Sequence, residues 1–416
     1  MSMLSFDEAL SALMANAKPL SRLPDVVQTM DGHNRFLASE IVSSIDVPPA
    51  DNSQMDGYAI RVADLDLLVN AGAKVSQRIP AGAVPQALEP CTVARIFTGA
   101  MLPLGADAVV MQEQTIASGI NGAAHIRLEG QVKPISGAWI RRAGEDIRSG
   151  SKVLDVGTHL NAQSLGLAAS VGAATLSVYP RVRVACFFTG DELAMPGEAL
   201  KPGSIYNSNR FTLVSMLKEL GCDVTDFGIV PDSLEATRQT LRAAAKDHDL
   251  IVTSGGMSVG EEDHVKPAVQ AEGGINMWQI AIKPGKPLAY GFVNRLGNAD
   301  TAAKAHFIGL PGNPVSSFVT FLLFVHPFVR KLQGASNWRW QSEARQANFK
   351  WPKADKRREF LRVKCNGEGT LDLFENQGSG VLTSTVWASG LVDNPAGKTI
   401  AIGDVVQYLP FAGLRA

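Results

Sequence analysis

The sequence predicts a multidomain α/β plus β protein: a central doubly wound α/β domain, an inserted β module, a discontinuous N-terminal domain and a C-terminal β-barrel. Three observations predict it. At 416 residues the chain exceeds what one hydrophobic core organises, so two to four domains are expected. From Arg181 onward apolar runs alternate with helical segments, the pattern of a parallel sheet wrapped by helices. Residues 50–142 are instead rich in Gly and Pro with short β-prone pieces such as TVARIFTG and DAVVMQEQ, and the tail after Trp340 alternates like a small barrel. The expected divisions are 1–48 with 143–180, 49–142, 181–332 and 333–416.

In chain order, Ser5 and Glu8 have capping-box spacing and open an amphipathic helix. The first residues lack a basic region and carry Asp7 and Glu8, which argues against a signal peptide. NAQSLGLAASVG reads as a helix capped by Asn161 and stopped at Gly172, followed by the strand TLSVYP; with the first 48 residues it is expected to form the discontinuous domain. In the α/β domain, VRVACFF is the first strand, and a helix runs from near Asn209 to Gly221. CDVTDFGIV is the next strand, Asp232 with Glu235 caps the following helix, and DLIVTSGG is a buried strand ending in a glycine-rich loop. Further strands are expected near WQIAIK and HFIGL, and Asn313 with Pro314 starts a long apolar helix that stops at Gly334. The stretch PVSSFVTFLLFVHPFV is shorter than a bilayer requires and holds His326 and Pro327, so it reads as a core helix and no membrane partner is expected. In the tail, REFLRVK, an Asn366-Gly367 turn, TLDLF and VVQYL supply the barrel strands.

Lys plus Arg (39) balance Asp plus Glu (40), so no global field favours nucleic acid or an anionic membrane. Cys91, Cys186, Cys222 and Cys365 lie far apart with no CxxC pair, which excludes a zinc set and fits reduced thiols in the cytoplasm.

Ligands of open α/β sheets bind beyond the carboxyl ends of the strands, so the chemistry is sought there. Thr189-Gly-Asp-Glu192 follows the first strand and Asp232 the second. Ser254-Gly-Gly-Met-Ser-Val-Gly-Glu-Glu-Asp263 offers close backbone approach, Ser258 as donor and Asp263 as a metal ligand. The turn Pro311-Gly-Asn313-Pro314 puts a helix start at the same edge. Lys283-Pro-Gly-Lys286-Pro287 adds two cations on a stiff turn, suiting an oxyanion beside a divalent cation. Upstream, DNSQMDGYA surrounds Asp56, RIFTGA holds Thr98, and RRAGEDI sets Arg141 and Arg142 near Asp146. Singly, each segment is satisfied by turns and surface ion pairs. Their combination points to a site.

DNSQMDGYA, RIFTGAMLP, GADAVVMQEQ, RRAGEDI, FFTGDEL, SGGMSVGEED, AIKPGKP and LPGNPVSS, in this order, resemble the molybdopterin molybdenumtransferase family, whose eukaryotic relatives include the E domains of gephyrin and its plant counterpart. The resemblance spans nearly the whole chain. It implies an elongated shape for the discontinuous domain and a molybdopterin-binding role for the α/β domain. It also implies a homodimer in which Asp56 and Thr98 act across the interface. By motif it carries over Asp146, Glu192, Asp232 and Asp263 as acidic site residues, with Asp263, Glu192 and Asp232 as the Mg2+ set. Ser258, Lys283, Lys286 and Pro287 fall on the molybdate side, and Arg357 and Ser379 match further oxyanion positions. Two departures stand out: Gln279 replaces a lysine frequent in bacterial relatives, and ASGLVDNPAGK diverges from the usual ending. Both are expected to weaken anion binding rather than remove activity.

The implied reaction takes molybdate and adenylylated molybdopterin, releases AMP and gives molybdenum cofactor, with an adenylyltransferase as the partner that makes the substrate. Two rivals are an adenylyltransferase itself and a non-catalytic gephyrin-like scaffold. The former is usually a lone α/β domain, against which the long N-terminal flank argues; the retained acidic set argues against the latter.

Overall fold

The structure is a computed structural model that describes residues 3–120, 123–129, 133–257, 263–295 and 303–415. The first helix, α1 (Phe6–Asn16), begins in the expected capping box: the Ser5 hydroxyl accepts from the Glu8 amide at 3.2 Å, and the Ser5 amide donates to Glu8 Oε2 at 2.8 Å. Its buried face of Phe6, Ala9, Leu13 and Met14 joins the core of the α/β domain, with the Phe6 ring 5.4 Å from both Phe324 and Phe360. Residues 1–48 therefore do not act as one unit, which corrects that part of the expected grouping. Periodicity shows that a helix has an apolar face, but not which surface the face covers.

The α/β domain contains β1 (Arg183–Thr189), α2 (Ser208–Glu219), β2 (Asp223–Val230), α3 (Leu234–Asp247), β3 (Leu250–Ser254), α4 (Val265–Glu272), β4 (Gly273–Gln279), β5 (Pro287–Asn294), β6 (Lys304–Leu310) and α5 (Pro314–Thr320). The sheet order is β2-β1-β3-β6-β5-β4. The first four strands are parallel; β5 runs antiparallel to both its neighbours, so β4 at the edge again runs with the first four. The sequence reading placed no strand at β5, the one that runs against the expected parallel order. The alternation in β1 explains the double winding: Val184, Cys186 and Phe188 enter one core with Leu213 and Leu217 of α2 and with α5. Ala185 and Phe187 enter the other, with Leu241 of α3 and Val265 of α4. From α5 the chain continues through a π-helical turn, Phe321–Val325, into His326–Leu332. The span Pro314–Leu332 is long and apolar enough to cross a bilayer, yet 94% of it is buried among the protein's own side chains, as expected of a core helix.

The discontinuous domain is tied by Asp25–Gln28 pairing with Thr175–Val178 and Ile41–Val42 with Lys152–Leu154, around Leu37, Leu160, Leu176 and Val178. Between these halves lies the β module, a six-stranded sheet of Ala108–Met111, Gly57–Ile60, Thr92–Ile96, Ala73–Ile79, Ala123–Leu128 and Thr115–Ile120 in spatial order. Its described residues also include a short helix, Leu65–Asn70, which the sequence reading did not expect.

In the C-terminal domain, Glu343–Gln346 pairs with Val405–Pro410. That strand pairs with β8 (Gly390–Asn394), β8 with β7 (Arg358–Cys365), and β7 with Leu371–Leu373. A bridge from Ala347 to Leu371 closes the ring into a barrel. The divergent segment ASGLVDNPAGK supplies β8, an ordinary central strand. WQIAIK is split: Gln279 ends β4, whereas Ile282–Lys283 pairs in parallel with β7, setting Lys283 beside Glu359. The lysine turn of one domain is thus stitched to the barrel of another.

Candidate functional site

The carboxyl ends of β1, β3 and β6 are aligned, with Phe188 opposite Ser254 and Ser254 opposite Leu310. Beyond them opens a cleft of about 760 Å³ whose far wall is the barrel. Its floor depends on two glycines. Gly255 has φ +100°, and a Cβ there would lie 2.6 Å from the Thr189 carbonyl oxygen. At Gly256 (φ +62°) a Cβ would meet Val265 Cγ2 at 2.6 Å and Thr189 Oγ1 at 2.8 Å. The Pro311–Gly312 turn is fixed by side chains: Ser254 Oγ donates to the Pro311 carbonyl at 2.8 Å, and Asn209 Nδ2 donates to the Gly312 carbonyl at 2.7 Å.

Of the expected residues, Glu192, Asp232, Lys283, Lys286 and Pro287 line the cleft, as do Pro311, Asn313, Pro314, Arg357 and Ser379. Asp263 stands at its floor, with Oδ1 3.1 Å from where a Cβ on Gly256 would sit. Ser258 lies outside the described residues. Asp232 is not a helix cap, contrary to expectation: Ser233 caps α3 by accepting from the Ala236 amide at 3.3 Å, which leaves Asp232 to line the cleft. Asn313 occupies the N-cap position of α5 without a side-chain capping bond, and the Val315 amide donates to the Ser379 carbonyl at 3.0 Å. That bond fastens the barrel loop to the helix start.

The expected three-carboxylate metal set is not preassembled: among the described residues no three Asp, Glu, His or Cys side chains converge on one point. Glu192, Asp232 and Asp263 come from three loops. Their oxygen chemistry suits a hard cation, and Mg2+ commonly takes one or two protein carboxylates together with water and substrate phosphates rather than a full protein cage.

Asp56 and Thr98 meet on the β module, where the Thr98 amide and hydroxyl both donate to Asp56 Oδ1 at 2.8 Å. These bonds, the backbone one first, hold the Asp56 carboxyl below its ordinary range. Neither residue lines the main cleft. Asp146 lines a separate cleft of about 380 Å³ with Val47, Pro48, Arg141 and Glu145. A single chain therefore does not bring these three residues to the others.

Sequence reasoning named Thr189 only as the start of a loop and missed the other contributors. Thr189 Oγ1 and Asn207 Nδ2 are buried donors in the cleft wall with no hydrogen-bond partner among the described residues. A buried donor left unsatisfied costs about 1–3 kcal/mol, so both favour a ligand rich in acceptors. The polar run Asn207-Ser-Asn209 at a strand-to-helix junction was the available signal. The barrel adds Asp355 and Glu359: Lys283 Nζ donates to Glu359 Oε1 at 3.0 Å, and Arg357 donates to both Asp355 oxygens at 3.0 and 2.9 Å. The Arg357 guanidinium holds the Asp355 carboxyl well below the usual carboxylate range.

A cleft at the strand ends of the sheet, walled by a barrel and lined by both carboxylates and cations, defines a multidomain α/β protein with a polar site between domains. Residues 4–172 match the MoeA N-terminal region (domains I and II), 185–331 the probable molybdopterin-binding domain, and 344–411 the MoeA C-terminal region (domain IV). A molybdopterin molybdenumtransferase of Haemophilus influenzae is 43% identical over 331 residues, covering 78% of each chain. Gephyrin of Dictyostelium discoideum is 34% identical over 79% of this chain and 49% of its own length. The crystal structure of a molybdopterin biosynthesis MoeA protein from Pyrococcus horikoshii superposes with a TM-score of 0.78 at 30% identity, covering 99% of both chains. The chain belongs to the molybdopterin molybdenumtransferase family.

Proposed function

We propose that the protein inserts molybdenum from molybdate into adenylylated molybdopterin, releasing AMP and giving molybdenum cofactor. The observation that carries this reading is the gathering of Glu192 and Asp232 with Lys283, Lys286 and Arg357 into one cleft from loops distant in sequence. The names of the relatives support the same reaction. Lys283, Lys286 and Arg357 attract the oxyanion; Thr189 and Asn207 supply donors to the acceptor-rich substrate. Opposite charges about 4 Å apart near a protein surface interact by about 4 kcal/mol at an effective dielectric constant of 20, enough to hold a dianion against its hydration only when several act together. Asp232 and Asp263 are the carboxylates that would hold Mg2+ against the adenylate phosphates, where the ion would offset their charge. The reaction needs no protein thiol, and Cys186 and Cys222 are buried, which pushes both thiols well above the ordinary thiol range.

A homodimer with the cleft at the subunit interface belongs to this reading, because Asp56, Thr98 and Asp146 would then meet the cleft of a second copy. The exposed apolar side chains Leu23, Val26 and Met30 on or beside the Asp25–Gln28 strand support such an association. An adenylyltransferase is the partner class that supplies the substrate.

The test is incubation of the purified protein with adenylylated molybdopterin, molybdate and Mg2+, following AMP. Molybdate-dependent AMP release is expected. Its absence contradicts the proposal and leaves the scaffold reading, whereas adenylylation of molybdopterin from ATP points to the adenylyltransferase.

A further inference from the structure

The two barrel-side cations of the cleft already have carboxylate partners in the same chain. Arg357 makes three hydrogen bonds to Asp355: its amide and Nε donate to Oδ1 at 3.0 Å, and Nη2 donates to Oδ2 at 2.9 Å. Lys283 Nζ lies 3.0 Å from Glu359 Oε1 and 3.5 Å from Asp355 Oδ2. Two cations against two carboxylates leave this corner electrically neutral to an approaching dianion. Lys286, by contrast, is exposed on the same turn and forms no ion pair among the described residues.

The two carboxylates differ in how firmly they are held. Glu359 is 1% exposed, sits within β7, and also accepts from Trp351 Nε1 at 2.6 Å and Asn394 Nδ2 at 3.4 Å. It is fixed by three elements of the barrel and sets where the Lys283 ammonium stands. Asp355 lies in the loop before β7, its side chain 20% exposed, and its side-chain partners are a residue two positions away and the lysine across the domain junction.

We propose that Asp355 is an internal competitor for the oxyanion: its carboxylate occupies the donors of Arg357 and the near side of Lys283, and an incoming tetrahedral oxyanion exchanges with it for those donors. Asp355 is thus a positioning residue that sets the affinity and selectivity of the cleft. A monovalent anion gains too little from the cations to displace a bidentate carboxylate, whereas a dianion gains about twice as much. The cleft then stays closed to chloride and open to molybdate-like dianions. This inference rests on the oxyanion-handling reading above and deepens it.

The experiment is calorimetric titration of sodium molybdate into the wild-type protein, Asp355→Asn and Asp355→Glu, with AMP release measured on the same preparations. Asn keeps the shape and one acceptor but loses the charge; Glu restores the charge. Asp355→Asn is expected to bind molybdate about tenfold more tightly, with the gain shrinking at high salt. It should also be inhibited by chloride where the wild type is not, and the kinetic change should fall on KM for molybdate rather than on kcat. Asp355→Glu should return affinity to the wild-type value. Unchanged or weaker binding by Asp355→Asn, in a wild type that binds molybdate and releases AMP, overturns the inference alone. A wild type that neither binds molybdate nor releases AMP overturns the functional reading and the inference together.

Discussion

Asp263→Asn is expected to reduce AMP release from adenylylated molybdopterin by about 100- to 1000-fold, the scale of losing one preorganised electrostatic partner at a reacting group, while the melting temperature stays near that of the wild type. Asp263 stands against Gly256 at the cleft floor, and on the proposed reading its carboxylate would help to hold Mg2+ beside the substrate phosphates. Asparagine retains the volume and one acceptor oxygen, so local packing survives while the negative charge is lost. The measurement is AMP release under saturating molybdate at several Mg2+ concentrations. If the variant turns over at the wild-type rate, Asp263 has no part in the chemistry. Partial rescue at high Mg2+ would show that the loss lies in holding the ion.

Gly255→Ala should have a comparably large effect by a different route. The residue sits at φ +100°, a conformation that costs a residue with a Cβ about 1–3 kcal/mol, and the new methyl would lie 2.6 Å from a backbone oxygen that cannot rotate away. The loop must move. Ser254, immediately before it, carries the bonds to Asn209 and Pro311 that hold the opposite rim, so the displacement spreads to both sides of the cleft. A shift of about 1 Å is sufficient to lower turnover about 100-fold. Activity should therefore fall far more than stability, as read by AMP release alongside a thermal melt. A variant with full activity would mean that the glycine loop does not touch the reaction.

Much of this architecture was legible because its signals are local. The capping box at Ser5–Glu8 and the Asn161 cap start helices as read, and Gly172, Gly221 and Gly334 stop helices at φ between +76° and +83°, a conformation that glycine adopts without strain. Glu192, Asp232, the lysine turn and the Pro311 turn could be placed together because carboxyl ends of neighbouring parallel strands share an edge. What escaped was non-local. The strand Pro287–Asn294 is antiparallel and begins at a proline, so it lacked the parallel-sheet signature. The surface that α1 covers depends on Phe324 and Phe360, more than 300 positions downstream. Asp232 was read as the cap of α3, and the extended backbone at Ser233, φ −136° and ψ 145°, moves the cap one residue on. Asp355 and Glu359 were not singled out in the sequence; the pairing of Ile282–Lys283 with β7 sets Lys283 against them. Gln279, weighed as a loss of positive charge, ends β4 and does not line the cleft, so its substitution bears little on anion capture there.

The central claim is that one cleft collects a metal oxyanion between the lysine turn and the barrel. Diffraction from molybdate-soaked crystals at the molybdenum absorption edge tests it most directly. The account predicts an anomalous peak within contact distance of Lys283, Lys286, Arg357 and Ser379, with Asp355 turned away from Arg357. Molybdenum bound only on another face of the molecule, or none at saturating molybdate, would contradict it.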